Sequence, residues 1–229
     1  MQKFTYLLIN AFTLLGPLLL SFDKKVAFYK TWKFSFPAIF ITGVLFIIWD
    51  YLFTIYGVWS FNPDYIIGKS LFNLPVEEIL FFITVPYACL FIYECLNVYI
   101  TKDILSAYAK YIQWFLWIIC IPILFYYFDH LYTRITFSTL FVILSINIFY
   151  NKPIYFGRFL LSYFVVLIPF AIVNGLLTSI PVVMYNDAEN LGIRIGTIPL
   201  DDFFYNFSLL LININLFEYF RSKYSQKYR

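Results

Sequence analysis

Asn73-Leu74-Pro75-Val76-Glu77-Glu78-Ile79-Leu80-Phe81-Phe82 sets two adjacent carboxylates at the mouth of an apolar helix, and Thr197-Ile198-Pro199-Leu200-Asp201-Asp202-Phe203-Phe204 repeats the arrangement farther along the chain. Proline near the first helical position, followed by acids in the first turn, is a common way to begin a helix, because acids there complement the macrodipole. That explains one acid at an exposed end. It explains less well a doublet kept in both copies and followed at once by aromatic rings. Ionisable side chains in apolar helices are costly and default to a functional reading.

Working outward, the composition defines the surroundings of both copies. The chain is 62% hydrophobic, 24% aromatic and only 13% charged, with a net charge of +3. This excludes a water-soluble domain. A membrane span needs about 20 mostly apolar residues in a helix, and such segments occur near 4–22, 36–56, 76–96, 111–128, 132–149, 159–180 and 200–220. The fold class expected is all-α integral membrane, with about seven transmembrane helices. The fourth and fifth are the weakest, being separated only by Asp129, His130 and Leu131, and a single re-entrant hairpin is the alternative there. The first segment follows Lys3 like a secretory signal, but Phe22-Asp23-Lys24-Lys25 comes after it instead of a small-residue cleavage site, so it reads as a retained helix. Cys89, Cys95 and Cys120 fall inside apolar segments without metal-type spacing and read as packing residues.

If the helices alternate, every Lys and Arg except Lys3, Lys69, Arg134 and Arg194 falls on one side. By the positive-inside rule that side is cytoplasmic, giving an outer N-terminus and an inner C-terminus. The basic tail from Arg221, with Lys223, Lys227 and Arg229, suits anionic lipid headgroups and calls for no nucleic acid.

A constant ungapped offset pairs Thr54 with Thr178, Asn62 with Asn186, Gly68 with Gly192, Pro75 with Pro199 and Glu94 with Glu218. It also pairs Glu77 with Asp201 and Glu78 with Asp202, while Asn73 meets Thr197, both good N-cap types. The second and third helices of each half match; the first and fifth agree only in being apolar. The organisation expected is a first three-helix repeat at 1–100, a linker helix at 101–130, and a second three-helix repeat with its basic tail at 131–229. One linker helix after three spans makes the repeats parallel, so both acidic pairs lie on the outer side and can converge on one cavity. Glu94 and Glu218 fall near the cytoplasmic ends, where a structural role is expected.

Asp50 lies deep in the second helix between Trp49 and Tyr51, and Asn174 is its repeat partner. A buried acid there must be protonated or hydrogen-bonded. His130, the single histidine, sits at an outer turn and reads as a loop residue.

These residues carry a family resemblance. The Pro75-x-Glu77-Glu78-x-x-Phe81-Phe82 signature, Trp49-Asp50 followed by Gly57-x-Trp59, and Pro199-x-Asp201-Asp202 resemble the small membrane-bound lycopene cyclases, in the fused two-repeat form. The second motif departs from the first: Asp replaces Glu, Tyr205 and Asn206 stand at the Phe-Phe positions, and Asn174 answers Asp50.

The resemblance implies an intramolecular lyase (isomerase) of carotenoid biosynthesis that cyclises the acyclic ends of lycopene to β-ionone rings, giving γ-carotene and then β-carotene. A proton is delivered to the terminal double bond, a tertiary cation closes on the neighbouring double bond, and a proton leaves. A carboxyl group can be that acid at neutral pH only where burial or a neighbouring carboxylate keeps it protonated. The catalytic candidates are Glu77, Glu78, Asp201, Asp202 and Asp50, with the principal acid in the first repeat. Phe81, Phe82, Trp49, Phe203 and Phe204 are candidates to stabilise the cation through their faces; lipid-facing or packing bulk is the plainer role for most of them.

No cofactor is expected. The 8 glycines include no dinucleotide-binding spacing, so neither flavin nor metal is anticipated. The partners expected are a lipophilic polyene entering from the bilayer and membrane lipids; a homo-oligomer and an association with other carotenoid enzymes both stay open. Alternatives from other classes are a cyclase of C50 carotenoids, a small parallel-repeat transporter using the acids for proton coupling, and a structural subunit for which duplicated acids have no purpose.

Overall fold

The computed structural model describes residues 2–227, with side chains through residue 224, so the side chains of Lys227 and Arg229 in the expected basic tail lie outside the described part. Seven α-helices account for most of the chain: α1 (Thr5–Leu20), α2 (Trp32–Ile55), α3 (Val76–Tyr99), α4 (Ser106–Tyr126), α5 (Leu131–Ser145), α6 (Phe156–Ser179) and α7 (Leu200–Lys227). Six two- or three-residue strands lie in the connections: β1 (Trp59–Phe61), β2 (Ser70–Leu71), β3 (Leu74–Pro75), β4 (Val183–Tyr185), β5 (Arg194–Ile195) and β6 (Ile198–Pro199). At 24 residues each, α2, α3 and α6 run about 36 Å, enough for the ~30 Å hydrocarbon core with some tilt. A π-helical turn, Ile146–Asn151, extends α5 into a 21-residue span. The fourth and fifth segments are therefore two full-length helices rather than a re-entrant hairpin, packed on each other across a short turn at 127–130.

Among the described residues, six helical stretches are long and apolar enough to cross a membrane. The exception, α7, carries Asp201, Asp202, Asn206, Asn213 and Asn215, yet Asp201, Leu211, Asn213 and Phe217 on it are all fully buried. Its polar groups are tolerable because α7 is surrounded by protein, packing on α2, α3, α5 and α6. The protein is an all-α membrane protein.

The packing is interleaved. α1 lies on α3 and α5 on α7, whereas α2 packs against both α3 and α7, and α6 against both α3 and α7; α4 covers α5 and α6 from outside. Lipid is as apolar as leucine, so such contacts depend on close fit rather than on water exclusion. Gly43 on α2 illustrates this: a Cβ there would come within 3.4 Å of the Phe82 carbonyl oxygen, the carbonyl whose helical donor Pro86 removes.

Far from the acidic motifs, Arg221 bridges Glu94 at 2.5 Å and Glu218 at 3.2 Å, while the Tyr93 hydroxyl donates to Glu218 at 2.8 Å. The repeat-related glutamates thus share one cation, a structural tie between α3 and α7.

The connections follow the same approximate two-fold relation. β1 and β4 pair antiparallel with Ser60 opposite Met184, its own repeat equivalent, so the pseudo-axis passes through this ribbon. β2–β3 and β5–β6 form matching hairpins just before α3 and α7. These correct the N-cap expectation for Asn73 and Thr197. Phe72 and Asn73 occupy left-handed conformations with φ of 51° and 59°, as a tight two-residue hairpin turn requires, and the helix begins only after Pro75. In the other copy Gly196 is the left-handed residue, with φ of 63°, and the Thr197 hydroxyl pairs with that of Thr178 at 2.6 Å.

Candidate active site

Each hairpin aims an acidic doublet at two different targets, because neighbouring residues on a helix point about 100° apart. Glu77 and Asp201 are fully buried and turn back to their own connecting loops. Glu77 Oε1 accepts the Ile67 amide at 2.7 Å, and Asp201 Oδ2 accepts the Leu191 amide at 3.0 Å. Both donors precede left-handed glycines, Gly68 and Gly192, so each acid fastens the bend its loop makes there. Asp201 also accepts from the Thr133 hydroxyl at 2.6 Å.

Glu78 and Asp202 point inward, where they line a single cavity of about 50 Å³ together with Asp50 and Asn174. The carboxyl groups of both repeats thus meet at one site between α2, α3, α6 and α7, roofed by the β1–β4 ribbon through Trp59, Phe61, Val183 and Tyr185. Glu78 accepts from the Tyr6 hydroxyl, and Asp202 Oδ1 accepts from the Tyr132 hydroxyl at 2.6 Å. Asp202 Oδ2 accepts twice more, from Tyr185 at 2.8 Å and from the Asn174 amide at 3.0 Å. Burial and the adjacent Asp202 push the Tyr185 phenol up, so it stays a donor. Asp50 lies opposite Asn174 in the repeat, but its Oδ2 has no hydrogen-bond partner among the described residues.

Of the aromatic candidates, Phe81 lines the cavity. Phe82 is buried against Phe46 and Leu209, Phe203 packs on Phe170 at 5.0 Å and Phe204 on Phe137 at 4.7 Å, and the three do not line the cavity. Trp49 stacks on Phe46 at 5.1 Å and edge-on to Tyr205 at 5.0 Å, behind the cavity wall. The rings that do face the cavity with Phe81 are Tyr6, Trp59, Phe61, Tyr132, Phe170, Tyr185 and Tyr205. His130 is held, its Nδ1 lying 2.8 Å from the Asn190 carbonyl oxygen at the base of the second loop.

Tyr6 and Tyr132 were missed from sequence because the first helix of each repeat is out of register by two residues. With that shift Tyr6 aligns with Tyr132, Ile9 with Ile135, Thr13 with Thr139 and Leu14 with Leu140. The backbone repeats the match: Tyr6 N donates to the Tyr65 carbonyl at 3.2 Å and Tyr132 N to the Glu189 carbonyl at 2.8 Å.

The family model for lycopene cyclase matches residues 3–96 and 129–220, covering both repeats and skipping α4. No match was found among curated proteins or among solved structures. Spanning most of the chain and both acidic motifs, the family match agrees with the geometry of a single enclosed, carboxylate-bearing, aromatic-lined site, and the chain belongs to the lycopene cyclase family.

Proposed function

We propose that this protein is a lycopene β-cyclase, with Glu78 as the general acid, Asp202 as the proton acceptor and Asp50 as the neighbour that keeps a proton within reach of Glu78. The observation that carries this reading is the convergence of Glu78, Asp202 and Asp50 on one cavity walled by aromatic rings. Asp202 accepts three hydrogen bonds, from Tyr132, Tyr185 and Asn174, and hydrogen bonds of this kind favour the form able to take a proton. Glu78 accepts one phenol and faces another acid, a setting suited to a proton donor.

The reaction is an isomerisation. Glu78 protonates the terminal double bond, the tertiary cation is attacked by the internal double bond to close the ring, and Asp202 takes the proton whose loss leaves the ring alkene. Trp59, Phe81 and Tyr205 offer π-faces that stabilise the cation without bonding to it. Water would quench the cation, and the β1–β4 ribbon over the site keeps it out. Glu77 and Asp201 act as positioning residues that hold the loops beneath this roof. The Lys and Arg distribution supports placing the roofed end outside and the Arg221 end in the cytoplasm.

Expression in a lycopene-accumulating bacterial host, followed by chromatographic pigment analysis, tests the proposal. Cyclised product from the wild type, lost in Glu78→Gln and strongly reduced in Asp202→Asn, is the outcome expected. Unchanged lycopene from a well-inserted wild type would direct attention to a longer carotenoid substrate.

A further inference from the structure

The central cavity cannot by itself hold the branched end group of a polyene, since about 50 Å³ admits only a few waters. Beside it lies a larger apolar groove of about 380 Å³ between α1, α3 and α6. Phe81, Phe170, Asn174 and Asn206 line both spaces, so the groove and the carboxylate-bearing cavity are separated by no more than these side chains. Asn206 is buried at this junction, and its Nδ2 has no hydrogen-bond partner among the described residues.

The approximate two-fold relation places a counterpart groove between α2 and α5, and a hollow of about 300 Å³ is found there. Five of the residues lining it correspond to residues of the open groove: Leu45 to Pro169, Ile48 to Ile172, Trp49 to Val173, Leu52 to Leu176 and Ile135 to Ile9. The counterpart shares no lining residue with the central cavity. Trp49, absent from the open groove because Val173 stands there, packs against Tyr205, which in turn meets Trp59 at 6.1 Å and Tyr132 at 6.2 Å. Tyr205 occupies the position of Phe81. The same architecture is open on one side and plugged by aromatic rings on the other.

We propose, building on the cyclase reading, that the α1/α3/α6 groove is the single access and binding channel for the polyene and that the α2/α5 hollow is closed to it. An uncharged, extended, apolar chain fits the lining, in which the polar side chains are Thr13, already bonded to its own helix at 2.8 Å, and the two asparagines at the inner end. The end group to be closed lies at the junction, where the π-face of its double bonds can accept the unpaired Asn206 N–H. One channel reaching one set of acids means that the two ends of a symmetric substrate react in turn, the molecule leaving and re-entering the other way round. The singly cyclised product is then a free, exchanging species.

Four variants and a binding measurement test this. Val173→Trp places in the open groove the residue its counterpart carries, and Val85→Trp fills the same groove from α3. Ile48→Trp and Leu52→Trp add equal bulk to the closed side. At matched levels of membrane-inserted protein, the first two are expected to lower total cyclised carotenoid by about tenfold or more and the last two by less than about twofold. Polyene co-purifying with a Glu78→Gln protein reports occupancy without turnover, and Val173→Trp in that background is expected to remove it while Ile48→Trp leaves it in place. Equal loss on both sides, or full activity in both open-groove variants, overturns the single channel. Lipid acyl chains displaced in place of polyene overturn it as well. A wild type that binds polyene through the groove but makes no ring refutes the cyclase reading and keeps the channel.

Discussion

The two repeats present a carboxyl group at the same place, Glu78 in the first and Asp202 in the second, and surround it differently. In the second, Asp202 is encircled by three donors, Tyr132, Tyr185 and Asn174. In the first, Glu78 has the Tyr6 phenol and faces Asp50, the acidic counterpart of Asn174. Phe61 stands where the second repeat has Tyr185, which removes a donor. Duplication supplies two carboxyl groups in one cavity, and two substitutions around them, Asp50 for Asn174 and Phe61 for Tyr185, make their hydrogen bonding unequal. The acid–base reaction proposed above would use that inequality, since one group must give a proton while the other is free to take one.

The largest effect expected from breaking this comparison is at Glu78. Glu78→Gln keeps the hydrogen bond to Tyr6 but has no proton to give, and should lower cyclised product by about 10²–10⁴-fold, the range for a lost general acid. Pigment chromatography at matched expression measures it. Asp202→Asn, which leaves three donors around an amide, should cost about 10²-fold in the same assay. If Asp202→Asn proved the more damaging of the two, the donor and acceptor assignments would have to be exchanged.

Making the repeats more alike is a finer probe. Asp50→Asn gives the first repeat the second repeat's amide and should lower turnover by about tenfold, with lycopene retention in the purified protein unchanged. A loss of retention instead would mark Asp50 as a packing residue. Tyr6→Phe and Tyr132→Phe each remove one hydrogen bond to a carboxyl, worth about 1.5–3 kcal/mol where the acceptor is charged. Thermal unfolding in detergent should therefore show the larger shift for Tyr132→Phe. Glu77→Gln and Asp201→Asn, by loosening a loop anchor, should give the smallest change in turnover, with a stability loss of about 1 kcal/mol read in the same melting assay.

Much of this was legible in the chain. Long apolar segments announced the membrane helices, because lipid leaves backbone groups no partner but the helix itself. Two acidic doublets at a constant offset announced buried carboxyl groups in both halves, and Glu78 and Asp202 do line one cavity. The division of labour inside each doublet was not legible. Glu77 and Glu78 are neighbours of the same type, and only helical rotation sends one to a loop amide and the other to the cavity. Phe82, Phe203 and Phe204 looked as suitable as Phe81 for a cation, but rotation about their helices buries them in packing instead.

Sequence by itself determined what is local or periodic: helix lengths, the all-α membrane class, the repeat and the positions of the acids. Tertiary structure decided what depends on contact between distant segments. Tyr6 meets Glu78 and Tyr132 meets Asp202 across gaps of 72 and 70 residues, and a two-residue slip hides their kinship from any fixed offset. The grooves lined by Val173 and by Trp49 stand at equivalent places, and only the Tyr205 ring packed beside the tryptophan sets them apart. Apolar residues are interchangeable as membrane-helix formers, and which of them border a groove is fixed by how the helices interleave.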